Sequence, residues 1–265
     1  MPKLNKEITL EGDLSMHVEE ANRKVEGICS TQYLWGEYHK LLQYDSYLNR
    51  GPNIGNKGEN LTISFLSCNR SNLSIRLLLS ITQKIDNFAG EVLIIDNGSE
   101  SSEIEQLEKA CSNLPYVCRI IKLGINFGVA GGRNRTIPHV NTEWVMFLDN
   151  DIYFIEDPLV VIQRDIAILG CHFLNLPLLD RDGISIFAKG GHLYTCLENG
   201  DIHVGAGSAY VQEPYKKDSD NAFLSTFLFG GASIVRKETF LNAGGFDEGC
   251  LLVLKILISQ FVFFN

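Results

Sequence analysis

From Leu61 onwards, short runs of apolar residues alternate with stretches in which apolar residues recur at helical spacing. Four apolar runs predict strands: LTISFLSCN, GEVLIIDNGS, CRIIKL and EWVMFLDND. The stretches between them predict helices: SNLSIRLLLSITQKI, opened by Ser71 or Asn72 as cap, then SSEIEQLEKACSNL and the glycine-rich GVAGGRNRTIPHV. Strands that are apolar throughout and alternate with helices are typical of an α/β protein, with a mostly parallel central sheet and helices on both faces.

The first 60 residues follow a different pattern. The stretch MHVEEANRKVEGICSTQYLWGEYHKLLQYDSYL is rich in charge and has apolar residues at helical spacing, which predicts one or two amphipathic helices. The stretch NRGPNIGNKGEN concentrates Gly, Pro and Asn, as a linker or long turn does. We therefore expect a helical extension and linker over residues 1–60, the α/β domain over residues 61–249, and an apolar tail over residues 250–265 that leaves the domain truncated.

The sequence predicts neither a secretion signal nor a transmembrane segment. The N-terminus MPKLNKEITLEGDL lacks the apolar core of a secretion signal. The tail LLVLKILISQFVFFN is shorter than the roughly 20 apolar residues of a membrane-spanning helix, and Lys255 and Gln260 interrupt it. We expect a cytoplasmic protein, and leave open its attachment to a membrane surface.

Composition and charge narrow the classes of partner. The apolar fraction of 45% and the charged fraction of 21% are those of an ordinary globular protein. The net charge of −9 argues against nucleic acid, because phosphate binding needs a basic face. The seven cysteines include no CxxC pair, which favours reduced thiols and a cytosolic location.

Polar residues follow each predicted strand, and in a parallel sheet ligands bind outside the carboxyl ends of the strands. We therefore expect these residues to converge: Ser67, Asn69 and Arg70 after the first strand, Asp96, Asn97 and Ser99 after the second, Asn126 and Gly128 after the third, and Asp149 and Asp151 at the fourth. A purely structural interpretation, in which each is a turn residue, explains each one singly but explains the acidic pair poorly.

The acidic pair predicts a metal site. On an extended backbone residues i and i+2 point to the same side, so Asp149 and Asp151 would present both carboxylates to one object. Two like charges held together need a cation between them. Mg²⁺ or Mn²⁺ fits, because such hard cations take one or two carboxylates and complete their shell with water and substrate phosphates. The predicted ligand is a nucleoside diphosphate.

The block NFGVAGGRN, residues 126–134, adds an anion-binding argument. Gly128, Gly131 and Gly132 would let the main chain approach a ligand closely, and a helix start with Arg133 beside it attracts anions. The dinucleotide fingerprint G-x-G-x-x-G is absent here, which disfavours a NAD-dependent enzyme on a similar sheet. A tight turn with helix packing is the competing interpretation.

The ordered blocks ISFLSCNR, EVLIIDNGS, NFGVAGGRN, WVMFLDND and FLFGGASIVRKETFLNAGGFDE resemble the family 2 glycosyltransferases of the GT-A fold, from about Leu61 to Glu248. The resemblance implies inverting transfer of a sugar from a nucleoside-diphosphate sugar, of UDP or dTDP type, to an acceptor hydroxyl. The residues that it implicates are Asp96 at the base, the backbone near Cys68 and Asn69 beside it, Arg133 and Asn134 bordering nucleotide and sugar, Asp149 at ribose or sugar hydroxyls, Asp151 at the metal, and Gly230 and Gly231 at the donor sugar and acceptor entrance.

The sequence departs from the family pattern after GGFDE. The family continues with an aromatic stretch and a Glu-Asp pair whose Asp is the general base, whereas here no acid follows Glu248. Asp247 and Glu248 are the nearest acids and the substitute candidates. The sequence therefore leaves two hypotheses open: a metal-dependent glycosyltransferase, and a remnant that binds the nucleotide sugar but is catalytically impaired. The acceptor, whether glycan, lipid-linked or protein, is not indicated.

Overall fold

The computed structural model describes residues 52–198, 201–208, 228 and 230–248. The predicted N-terminal helices and the apolar tail lie outside these residues, so the domain limits stay a prediction. Within the described ranges, no helix combines the length and the apolar character needed to cross a membrane.

The strands of the described ranges are β1 (Leu61–Ser67), β2 (Glu91–Asp96), β3 (Val117–Lys122), β4 (Trp144–Leu148), β5 (Phe173–Asn175), β6 (Leu178–Leu179), β7 (Ile186–Ala188), β8 (Gly191–Glu198), β9 (Asp201–Ser208) and β10 (Ala232–Arg236). Six of them form the central sheet of the fold, in the order β3-β2-β1-β4-β10-β5. Strands β1 to β4 run parallel, whereas β10 is antiparallel to both β4 and β5. Strands β6 and β7, and strands β8 and β9, form separate antiparallel pairs.

Helices cover both faces of this sheet. They are α1 (Ser71–Lys84), α2 (Ser101–Cys111), α3 (Gly128–Asn134), α4 (Leu159–Leu169) and α5 (Lys237–Asn242), with a 3₁₀ turn at Ile137–His139. Residues of β4 alternate between the faces: Trp144 and Met146 pack with α1, α2 and α4, and Val145 and Phe147 with α3 and α5. The predicted fold class, a mostly parallel α/β sheet with helices on both faces, is confirmed.

Two local predictions are wrong. Helix α1 has Arg70 rather than Ser71 or Asn72 at its N-cap, and no side chain caps it. Instead, the Glu103 carboxylate of α2 accepts a hydrogen bond from the Ser71 backbone N–H at 2.7 Å. A residue of the neighbouring helix therefore satisfies an N–H group that an N-cap side chain would otherwise bind. The fourth strand ends at Leu148, before the acids, because the chain turns there and Ile152 N donates to Asp149 O at 3.2 Å.

Truncating the core should show how much the sheet depends on apolar packing. Ile94 in β2 is fully buried, so Ile94→Ala should lower the free energy of unfolding by about 2–5 kcal/mol through lost burial and a cavity. Ile184 is 63% exposed, and Ile184→Ala should change it by less than about 0.5 kcal/mol. Urea unfolding of the two variants measures both values, and equal losses would contradict this description of the core.

Candidate functional site

The carboxyl ends of β1, β2 and β4 meet at one edge of the sheet, where the sequence predicted convergence. Asn97 N donates to Ser67 O at 2.8 Å, which joins the ends of β2 and β1. Asp149 N donates to Gly231 O at 2.9 Å, which joins the end of β4 to the residue before β10. The predicted site residues that follow these strands are therefore held at a common edge.

The first corner of this edge links the loops after β1 and β2. Asn69 N donates to Ser99 Oγ at 3.1 Å, and Glu100 N donates to Asn69 Oδ1 at 2.8 Å. The Asp96 carboxylate is buried and accepts the Ser99 N–H at 3.2 and 3.4 Å. Arg70 is exposed beside this corner. The assignment of Asp96 to a nucleobase stays a prediction, since its carboxylate here closes a turn.

Asn97 fastens the loop before the glycine-rich helix. Its side chain is 4% exposed, and its Nδ2 donates to Asn126 Oδ1 at 2.9 Å and to Gly128 O at 3.1 Å. Its Oδ1 accepts the Phe127 N–H at 2.9 Å, and Asn126 Oδ1 accepts the Gly128 N–H at 2.8 Å. Two backbone N–H groups at the start of α3 are therefore already bonded, so Asn97 and Asn126 shape this loop whatever it binds.

The glycines of α3 serve packing in part. A Cβ on Gly132 would lie 2.8 Å from a Leu66 side-chain atom, so the missing side chain lets α3 approach β1. A Cβ on Gly131 would lie 3.1 Å from the Glu248 carboxylate. Both glycines are buried, whereas Gly128 is exposed at the start of the helix. Only Gly128 of these three lies where a ligand has open access.

Arg133 is the buried cation that the acidic turn requires. Its side chain is 4% exposed, and its guanidinium donates to Asp149 Oδ1 at 2.9 Å and to Gly230 O at 2.6 Å. The rings of Phe147 and Phe246 lie 5.8 and 5.9 Å from its Cζ atom. The guanidinium is thus enclosed by apolar and aromatic groups, with a carboxylate and a carbonyl at its open end.

Three contributions, which oppose one another, shift the pKa of Asp149. Desolvation in the recess raises the pKa of Asp149, the Arg133 guanidinium lowers it, and the Asp151 charge raises it further. Because 51% of the Asp149 side chain is accessible to solvent, the desolvation is incomplete and the ion pair with Arg133 is retained. Burial also lowers the pKa of Arg133, and Asp149 offsets this effect.

Asp149, Asn150 and Asp151 form a turn rather than an extended strand, so the extended backbone on which the predicted same-side presentation of the carboxylates rested is absent here. Helix α1 holds this turn. Arg76 donates to Asp151 O at 2.6 Å, and Asn150 Nδ2 donates to Ser74 Oγ at 3.3 Å. Sequence reasoning missed Arg76 and Ser74, because residues in the middle of a helix carry no local signal of what lies across the sheet edge.

The two acids have different surroundings. Asp149 is paired with Arg133, whereas Asp151 is exposed, and no described residue donates a hydrogen bond to its carboxylate. The part of the chain that the structure describes has no group of three acidic, histidine or cysteine side chains able to hold a metal ion. Asp151 is therefore the carboxylate available to an outside ligand.

Gly230 and Gly231 lie beside the acidic turn, and their assignment to the donor sugar and acceptor entrance stays a prediction. A Cβ on Gly231 would lie 2.7 Å from a Leu178 side-chain atom and 3.7 Å from Asp149 Oδ2. A side chain at this position would therefore require Leu178 of β6 to shift, beside the Asp149 carboxylate. Gly230 presents its carbonyl to Arg133.

The segment after α5 is clamped to α3. Asn134 Nδ2 donates to Phe246 O at 2.7 Å and to Glu248 Oε1 at 3.0 Å, and its Oδ1 accepts the Phe246 N–H at 2.8 Å. Arg135 pairs with the Glu248 carboxylate at 3.0 Å and stacks on the Phe127 ring at 3.7 Å. Asn134 and Glu248, both predicted as site residues, are thus engaged with each other in this structure.

Comparison with known proteins identifies the class. Residues 65–164 match the family model Glycosyl transferase family 2, which confirms the resemblance. A Drosophila melanogaster protein named as a polypeptide N-acetylgalactosaminyltransferase 10 is 28% identical over 208 residues, 76% of this chain. The uncharacterized glycosyltransferase YfnE of Bacillus subtilis is 32% identical over 80 residues, 30% of this chain.

Solved structures share the fold. S. aureus TarS 1-349 has a TM-score of 0.53 at 17% identity, covering 76% of this chain and 55% of that chain. A mannosyltransferase from Pyrobaculum calidifontis, in complex with GDP-Man and Mn²⁺, has a TM-score of 0.50 at 13% identity, covering 83% of this chain and 58% of that chain. At these identities the likeness establishes the GT-A fold alone. The chain spans 31% of the Drosophila relative and 20% of YfnE.

Replacing the buried Arg133 should lower the free energy of unfolding more than replacing the partly exposed Arg135. Arg133→Met fills the same apolar space but leaves Asp149 and Gly230 O without their donor. The free energy of unfolding should fall by about 1–3 kcal/mol, less than for a fully buried pair because Asp149 can hydrate. Urea unfolding measures this loss.

Arg135→Met is the matched control, because Arg135 and Glu248 form a pair with side chains 35% and 45% exposed. Arg135→Met should lower the free energy of unfolding by less than about 1 kcal/mol. Combining Arg133→Met with Asp149→Asn should give clearly less than the sum of the single losses, since both changes break one contact. Full additivity would mean that the two residues are not coupled.

Proposed function

We propose that this chain binds a nucleoside-diphosphate sugar at the carboxyl edge of its parallel sheet and transfers the sugar to an acceptor hydroxyl with inversion. The observation that carries the proposal is the division of roles in the acidic turn. Asp149 is neutralised by buried Arg133, and Asp151 stands exposed at the strand end where such sheets bind ligands. The match of residues 65–164 to the glycosyl transferase family 2 model supports this proposal.

The residues present fit a hard divalent cation, Mg²⁺ or Mn²⁺. Such a cation takes one or two carboxylates and fills its shell with water and substrate phosphates, so it does not need three protein ligands. Asp151 would hold the cation, with Asp149 as the second carboxylate of the turn. The cation would neutralise charge on the leaving diphosphate. The Pyrobaculum calidifontis mannosyltransferase was solved with Mn²⁺ and GDP-Man, which supports this assignment.

The chain's own groups would arrange the donor. By the resemblance, Asp96 and the backbone near Cys68 and Asn69 would contact the nucleobase. Ser67, Arg70 and Asn97 border the same corner. Gly128, Gly230 and Gly231 would leave room for the diphosphate and the sugar. The predicted donor is of UDP or dTDP type. TarS was also solved with UDP-GlcNAc, at a TM-score of 0.50, which supports a nucleotide sugar as donor.

Displacement with inversion needs a base near the acceptor hydroxyl. Glu248 is paired with Arg135, and an adjacent guanidinium weakens a carboxylate as a proton acceptor. Asp247 and Glu248 stay the candidates from the sequence. Binding and transfer are therefore separate questions, and a nucleotide-sugar-binding protein impaired in transfer is the alternative function.

Two measurements on the full chain test the proposal. Calorimetry with UDP, UDP-GlcNAc and GDP-mannose, each with and without Mn²⁺, reports binding, and release of free sugar from the same donors reports turnover without requiring the acceptor. Metal-dependent binding with donor hydrolysis supports a transferase. Binding without turnover on any donor supports the alternative, and no binding would overturn both.

Asp151→Asn should separate the metal role from folding. The amide keeps the size but removes the charge, so metal-dependent nucleotide affinity should fall tenfold or more, about 1.4 kcal/mol upward. Stability without metal should hold or rise, because repulsion with Asp149 is relieved. Asp86→Asn is the control, since Asp86 is exposed beyond the far end of α1 and should leave affinity unchanged. Unaltered Mn²⁺ dependence in Asp151→Asn would make the acidic turn purely structural.

A further inference from the structure

Two cysteines outside the proposed site lie against each other. Cys111 is the last residue of α2 and Cys118 is the second residue of β3. Their Sγ atoms are 2.8 Å apart, although the sequence shows no paired cysteine motif. Both residues are half-buried, so neither is sealed from solvent.

Regular structure on both sides fixes this contact. Cys118 lies in register with Val92 in the parallel pairing of β3 with β2. The end of α2 is closed by bonds from Asn113 N to Ala110 O at 3.1 Å and from Leu114 N to Cys111 O at 3.2 Å. Tyr116, in the connection between them, donates to Leu78 O of α1 at 2.7 Å. The sulfur atoms therefore meet because their backbones are held, and little reorganisation is needed to join them.

The two thiols are not equivalent. A hydrogen bond from Cys118 lowers the pKa of Cys111, although burial and Glu108 oppose this, and the same contact raises the pKa of Cys118. Of the two thiols, Cys111 is therefore the one that deprotonates more readily, and the thiolate is the nucleophile in thiol–disulfide exchange. Cys171 provides a contrast, because burial raises its pKa to about 12.

We propose that Cys111 and Cys118 form a redox-active pair that a low-molecular-weight disulfide, such as glutathione disulfide, oxidises to an intramolecular disulfide. The Cys111 thiolate attacks one sulfur of the small disulfide, forming a mixed disulfide and releasing one thiolate. The Cys118 sulfur loses its proton to solvent and attacks the Cys111 sulfur, which expels the second thiolate. The two protein thiols are oxidised, and one small disulfide is reduced to two thiols.

The new bond would join the end of α2 to edge strand β3. The closed loop is short, and Tyr116 within it already contacts α1, so the covalent link would reinforce an existing arrangement. We expect the oxidised protein to unfold at a melting temperature several degrees above that of the reduced protein, because the bond restricts the unfolded chain.

The chain offers a direct assay. Cleavage after Lys109 and Arg119 by trypsin yields the peptide ACSNLPYVCR, which contains both cysteines and no other. The full chain is equilibrated in glutathione buffers of increasing oxidised fraction, and unreacted thiols are blocked with N-ethylmaleimide. The protein is then digested with trypsin, and the mass of the peptide is measured by mass spectrometry. We expect a form that is two hydrogens lighter and carries no label to replace the doubly labelled form as the oxidised fraction rises.

Three variants sharpen this assay. Cys111→Ser should leave Cys118 largely unmodified, Cys118→Ser should trap glutathione on Cys111, and Cys171→Ser should leave oxidation of the pair unchanged. Because the measurement on the unaltered chain stands alone, a variant that fails to fold does not remove the test. A doubly labelled peptide at every buffer ratio, or glutathione retained on Cys111 of the unaltered chain, would overturn the proposal.

Discussion

The contact between Arg133 and Asp149 is the interaction on which the carboxyl edge of the sheet depends. A guanidinium that is 4% exposed must find partners, and it finds them at the Asp149 carboxylate and the Gly230 carbonyl. These two acceptors belong to different segments, one after β4 and one before β10. The buried cation therefore joins the glycine-rich helix, the acidic turn and the antiparallel part of the sheet, and the rest of the edge is arranged around this junction.

The junction also resolves why two acids follow a buried strand. Arg133 neutralises the first acid, and the turn then carries the second acid outward to solvent. Helix α1 keeps the turn in place through Arg76 and Ser74, and Ser80 of the same helix accepts the Phe154 N–H at 3.0 Å. One carboxylate is thus used within the protein and the other is presented by a supported backbone, which suits a cation that arrives with its substrate.

The parallel sheet could be predicted from the sequence, whereas the turn at Asp149 to Asp151 could not. Strands β1 and β2 are buried on both faces of the sheet. Because such strands have continuous apolar runs in the sequence, they could be predicted as strands of a parallel sheet. The end of β4 was misjudged because the apolar run before Asp149 was taken to continue as extended backbone through Asp151, whereas the Asp149–Ile152 bond closes a turn there. The cap of α1 was misjudged because its partner, Glu103, lies 32 residues away in the sequence. Cys111 and Cys118 were interpreted as separate thiols for the same reason: their meeting depends on how α2 packs against β3.

The remaining polar residues divide according to how fully they are already bonded. Asn97 and Asn134 have their side-chain amides committed to backbone groups, so they fix the loop before α3 and the segment after α5. Asp151, Arg70 and Gly128 are exposed at the same edge. In a site of this kind, the bonded residues set the shape and the exposed residues provide the chemistry. Residue type alone does not separate the two groups, because asparagine and aspartate are common in both turns and binding sites. The hydrogen bonds separate the two groups, and they leave the exposed side of the acidic turn as the part of this edge that is available for chemistry.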